Sequence, residues 1–154
     1  MSGRVEERLS ELGITLPTPS APLANYVPYV VTGNLLWISG QLPIGAEGLA
    51  FSGKCGSTQT TEDAANAAKL CAINLLAQAK AALGDLEKIT RLVKLVGFVS
   101  STPEFLDQPK VINGASDFMV DVLGDRGRHA RSAVSAASLP LDASVEIEAV
   151  FEFA

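Results

Sequence analysis

The chain has 154 residues and a mass of 16.1 kDa, long enough for one domain with a core of its own and no need of metals or disulfides. Hydrophobic residues make up 47% and charged residues 19%, which excludes intrinsic disorder. Twelve Lys and Arg stand against 17 Asp and Glu, a net charge of −5, the reverse of the basic surplus that phosphate neutralisation asks of a nucleic-acid-binding chain.

The first residues, MSGRVEERLSEL, are charged and hold no apolar run, so they do not read as a signal peptide. No stretch reaches 18 consecutive apolar residues, so no membrane span is expected and a cytoplasmic location is. Val5, Leu9 and Leu12 fall on one face of a short amphipathic helix that Gly13 stops. Pro17, Pro19 and Pro22 make the next segment an extended arm. Residues 1–23 are thus expected as a helix and arm in front of a core spanning 24–154.

Two β-rich runs, Val27–Val31 and Leu35–Ser39, flank Thr32-Gly33-Asn34 and predict a hairpin, Gly33 and Asn34 being suited to positive φ. Gly45, Gly48, Gly53 and Gly56 surround Leu49–Phe51, a loop with room for one further short strand. Residues 61–83 predict the longest helix, capped by Thr60 or Thr61, with Glu62 and Asp63 in the first turn and Gly84 at its end. Ile89–Ser100 is branched and apolar, a central strand. After Pro103 and Pro109, a second helix is expected from Lys110 to Leu123, closed by Gly124. Val145, Ile147, Ala149, Phe151 and Phe153 alternate with Glu146, Glu148 and Glu152, a strand with one face to a core and one to water, a partner or a ligand. The fold class is α+β, with two helices on one face of a mixed sheet.

Cys55 and Cys71 lie 16 apart with no CxxC, so zinc binding is not expected and two reduced thiols are. Neither a nucleophile motif nor a phosphate loop is present. The segment of residues 124–140 is the informative one, because Arg126, Arg128 and Arg131 bring a quarter of all Lys and Arg into six residues beside His129. An arginine fork holds a carboxylate or phosphate bidentately; equally, these arginines could solubilise a loop or pair with the surplus acids. His129, the sole histidine, is read as a surface or hydrogen-bonded residue before a catalyst. Glu146, on the polar face of the last strand, could orient a water or simply be solvated. Tyr26 and Tyr29 could serve a cleft or packing.

Ser39-Gly40-Gln41-Leu42-Pro43, together with the segment HARSAVSAASLPLDASVEIEAVFEF at residues 129–153, resembles the two signatures of the RidA/YjgF reactive-intermediate deaminase (endoribonuclease L-PSP-like) family. The likeness runs over about residues 24–153. It implies a chorismate-mutase-like fold, a homotrimer with ligand clefts between subunits, and no cofactor. The implied reaction is hydrolysis of enamines and imines such as 2-aminoacrylate to 2-keto acids and ammonia. On matched positions Arg131 would hold the substrate carboxylate and Glu146 would position water, with Tyr26, Ser39 and Asn113 lining the cleft. The chain departs from the pattern at Ala133, where many relatives carry Cys, and in its N-terminal addition and longer connection through Phe105–Val111, features similar to a longer, divergent branch. Three functions stay open on these residues: an imine or enamine deaminase, a non-catalytic trimer binding a small carboxylate or keto acid, and an endoribonuclease. The acidic charge weighs against the last.

Overall fold

A computed structural model describes residues 3–19 and 25–154. Helix α1 spans Arg4–Glu11 and buries Val5 and Leu9. Gly13 takes φ +73° after it, the left-handed conformation that costs glycine least. Residues 14–19 of the arm carry no regular structure, but Ile14 and Leu16 pack on the core. Pro22 and the rest of the arm through residue 24 lie outside the described residues.

Strands β1 (Tyr29–Thr32) and β2 (Leu35–Gln41) form the expected hairpin around Gly33, at φ +59°. The short strand sought at Leu49–Phe51 is Gly48–Leu49 (β4), paired only with Ile44–Gly45 (β3) in a separate ribbon. Helix α2 runs from Thr61 to Leu83; the Thr60 hydroxyl accepts from the Asp63 N–H, and Gly84 ends it. Strand β5 is Ile89–Ser100. Helix α3, Gln108–Leu123, starts two residues earlier than expected, because Pro109 opens its first turn, where a missing N–H costs nothing.

One strand was not foreseen. Ala130–Ala136 forms β6, parallel to β5. Its run of small residues carries neither alternation nor branched apolar side chains, and only the crossover through α3 brings it to the sheet edge. Strand β7, Val145–Phe153, follows the expected alternation. The sheet order is β1-β2-β7-β5-β6, so β7 lies at the centre and β6 at one edge.

Helices α2 and α3 cover one face. Ala64, Ala67, Ala68, Cys71, Ala72, Leu75 and Leu76 of α2 are buried with Ile147 and Phe151 of β7 and Val111, Ile112 and Met119 of α3. The small residues let the helices approach: a Cβ on Gly114 of α3 would run into the Ala65 carbonyl of α2. No helix of the described residues covers the opposite face, where Val30 and Trp37 are about half exposed (52% and 49%). No helix of the described residues is long and apolar enough to cross a membrane.

Candidate functional site

Of the three clustered arginines, two are accounted for locally. Arg126 donates to the Ile89 carbonyl at 3.0 Å and approaches Glu87 at 3.9 Å. Arg128 pairs with Asp125 at 3.3 Å. Arg131 has no carboxylate partner among the described residues. It is a half-buried residue of edge strand β6 and lies in register with Leu95, so its side chain takes the helix-covered face.

There α3 holds it. Arg131 Nη1 donates to Asn113 Oδ1 at 2.9 Å and to Ser116 Oγ at 3.1 Å, and Nη2 donates to the Pro109 carbonyl at 3.4 Å. A guanidinium has five N–H groups and no acceptor, so three are engaged by α3. Both Nη1 hydrogens are used. The Nε–H and the second Nη2–H, with no partner among the described residues, form the parallel edge that matches a carboxylate bidentately. Asn113 is thus brought to Arg131. Ser116, which sequence reasoning did not single out, stands three residues from Asn113 on the same helix face, a spacing that could have flagged it.

Glu146 lies elsewhere. On β7 it pairs with Phe98 of β5, one strand away from β6 and on the face that no helix covers. Arg131 and Glu146 therefore point to opposite faces of the sheet, with β5 between their strands. The Glu146 carboxylate rests against Gly40, where a Cβ would collide with it; this contact sits at the bulge between Ile38 and Gln41 in the β2–β7 pairing. Partial burial raises the Glu146 pKa above the ordinary carboxylate value, and the Glu148 charge adds to the rise. Cys71 is buried and unpaired, and burial, then the Glu146 charge, push its thiol well up, which leaves it a packing residue rather than a nucleophile. Cys55, also buried and free, is shifted the same way by burial.

Tyr26 and Ser39 stand at the other margin of the sheet. Tyr26 is 60% exposed. The Ser39 hydroxyl donates to the Val27 carbonyl at 3.0 Å. Both line a cavity of about 910 Å³ between the arm, the end of β2 and Ile73 and Asn74 of α2. The five expected site residues thus fall into two places in one chain: Arg131 with Asn113 at the β6 edge, and Tyr26 and Ser39 on a cavity whose wall includes Gly40, with Glu146 against that glycine.

Comparison with known proteins adds three relatives and a family. A family described as "YjgF/chorismate_mutase-like, putative endoribonuclease" matches residues 6–153. Protein TCP17 of Trypanosoma cruzi is 47% identical over 152 residues, covering 98% of this chain and 95% of its own. The crystal structure of Atu1372 from Agrobacterium tumefaciens, a protein of unknown function, is 55% identical, with a TM-score of 0.92 over 98% of this chain and 94% of that one. RidA from an Antarctic Psychrobacter is 26% identical, with a TM-score of 0.61 over 88% of this chain and 94% of that one.

Proposed function

This chain belongs to the YjgF/chorismate mutase-like family, and on that premise we propose that it is a hydrolytic deaminase of reactive enamines and imines. The substrate class is the 2-aminoacrylate type and its imine tautomer, the products a 2-keto acid and ammonia. The observation that carries the reading is the free bidentate edge of Arg131, fixed by Asn113 and Ser116 and unpaired with any acid among the described residues. Such an edge suits a small carboxylate. With a net charge of −5 the chain offers little to a polyanion, which disfavours RNA as the substrate.

The chemistry asks little of the protein. A protonated imine carbon is already electrophilic. Water adds to that carbon as Glu146 accepts one of its protons and passes it to nitrogen; Glu146 then takes the hydroxyl proton as the C–N bond breaks and the C=O bond forms, and the departing ammonia takes up that proton, so that the keto acid and ammonium leave. A carboxylate of raised pKa is a better base than an ordinary one. Arg131 supplies the anchoring that makes the attack effectively intramolecular. Tyr26 and Ser39 would line the same cleft, and no cofactor is called for.

Because Arg131 and Glu146 face opposite ways in one chain, we place the cleft between copies: Arg131 of one subunit opposite Glu146 of its neighbour, in a homotrimer. The exposed β6 edge and the uncovered sheet face with Trp37 and Val30 support an assembly of this kind.

The test is direct hydrolysis of amino-acid-derived imines generated in situ, following keto acid. Arg131→Ala should lower kcat/KM by about 10²-fold, the worth of a charge-assisted bidentate pair. Carboxylate binding by calorimetry with no accelerated hydrolysis would instead leave a binding module. Unchanged rates in Arg131→Ala would remove the anchor from the account.

A further inference from the structure

Ser116 touches more than Arg131. Its Oγ lies 2.9 Å from His129 Nε2, and His129 Nδ1 lies 2.6 Å from the Gly127 carbonyl. The direction of every bond in this chain follows from which atoms can donate. A carbonyl only accepts, so Nδ1 carries the hydrogen. The Nε2 of that neutral ring is then an acceptor and must take the Ser116 hydroxyl hydrogen. Arg131 Nη1 can only donate, so it donates to the Ser116 oxygen. The result is a one-way series: Arg131 Nη1–H to Ser116 Oγ–H to His129 Nε2, and His129 Nδ1–H to the Gly127 carbonyl.

The far end of the series is fixed. Gly127 is buried in the turn Gly124–Gly127, and its Cα lies so near the Met119 carbonyl of α3 that a Cβ would collide with it. The series therefore ties the guanidinium to the corner where α3 turns into β6. Both Nη1 hydrogens are consumed, one by Asn113 and one by this series, so the fork cannot rotate to present a different edge without breaking one of them.

We propose that Ser116 and His129 are positioning residues for Arg131, setting the free Nε/Nη2 edge toward the substrate carboxylate; the proposal rests on the deaminase reading of Arg131. His129 itself touches no substrate. It holds Ser116 as a hydrogen donor away from the guanidinium, which keeps the serine lone pair aimed at Nη1. Successive bonds in such a series polarise one another.

Two measurements on the intact protein test this. As the only histidine, His129 gives an unambiguous long-range ¹⁵N–¹H correlation spectrum; the expected tautomer at neutral pH carries its hydrogen on Nδ1, and a dominant Nε2–H form overturns the proposal. The second is steady-state imine hydrolysis. Ser116→Ala, a change that favours the helix, should raise KM about tenfold with kcat within about twofold, the worth of one bond to a charged group. Ser116→Thr, which keeps the hydroxyl, should restore KM, and His129→Ala should raise it as Ser116→Ala does. If Arg131→Ala lowers kcat/KM by about 10²-fold while Ser116→Ala and His129→Ala leave KM at the wild-type value, the positioning role is wrong and the anchor stands. If Arg131→Ala itself changes nothing, the anchoring role of Arg131 fails and this proposal with it; if the wild type hydrolyses no imine, it is the deaminase reading that fails.

Discussion

Arg131 commits three of its five N–H groups to α3 and leaves one planar edge open. Arg126 and Arg128 differ in that each faces a carboxylate, Glu87 and Asp125, whereas Arg131 faces none among the described residues. Glu146 carries the second prediction at this scale. Its raised pKa means the folded protein binds that proton more readily than the unfolded chain does, so stability from this group is full below about pH 4.3 and is lost as pH rises through the higher folded value. Glu146→Gln should therefore give a small increase in the melting midpoint at neutral pH, absent at pH 4, while imine hydrolysis falls by about 10²-fold or more. In the wild type the rate should fall as pH drops through the same raised value. The loop before β7 stores strain: Leu141 and Asp142 both sit at φ +60°. Leu141→Gly should stabilise the fold by about 0.5–1 kcal/mol, read from urea midpoints. By spacing alone the arginine cluster was visible in the sequence as a cluster only, and it was the motif resemblance that singled out Arg131. Which arginine is free depends on distant partners, Asn113 for Arg131 at 18 positions and Glu87 for Arg126 at 39, and no spacing rule reaches that far.

At the scale of elements, two close approaches position the site. The bulge in β2 opposite β7 puts Gly40 against the Glu146 carboxylate. Gly40→Ala should displace that carboxylate and lower kcat by about tenfold or more, with carboxylate binding retained; the half-exposed side chain can move aside, so the fold persists. Gly114 meets the Ala65 carbonyl, where α3 crosses α2. Gly114→Ala should part the helices and cost about 1–3 kcal/mol in chemical denaturation. Elements with strong local signals were legible: α2 through its Thr60 cap and Gly84 stop, β5 through its branched run, and β7 through its alternation. Strand β6 was not. ARSAVSA holds small and polar residues because an edge strand beneath α3 has little apolar surface to bury, and its pairing is set by the crossover rather than by its own composition. Pro109 misled for a related reason: the residue that ends a helix from within also begins one at its first turn.

The described residues form a sheet that helices cover on one side. The helix face is a closed core; the other face offers Trp37 and Val30, and the edges offer β1 and β6. Five site residues inferred from motif resemblance fall into two separate places in one chain, which a linear sequence could not reveal, because it does not show which face of a sheet a residue takes until the register is known. The cleft proposed between copies would reconcile them, the edge that presents Arg131 meeting a neighbour's Glu146. Sedimentation should accordingly find a trimer at micromolar concentration, and a chain that stays monomeric there would not fit. The most direct measurement mixes two strongly impaired variants. Arg131→Ala and Glu146→Gln, purified separately, unfolded together in equal amounts and refolded, should recover about a quarter of wild-type imine hydrolysis, since random assembly pairs an intact Arg131 with an intact neighbouring Glu146 at about that frequency. Activity no higher than that of the two variants refolded apart would contradict a cleft shared between subunits.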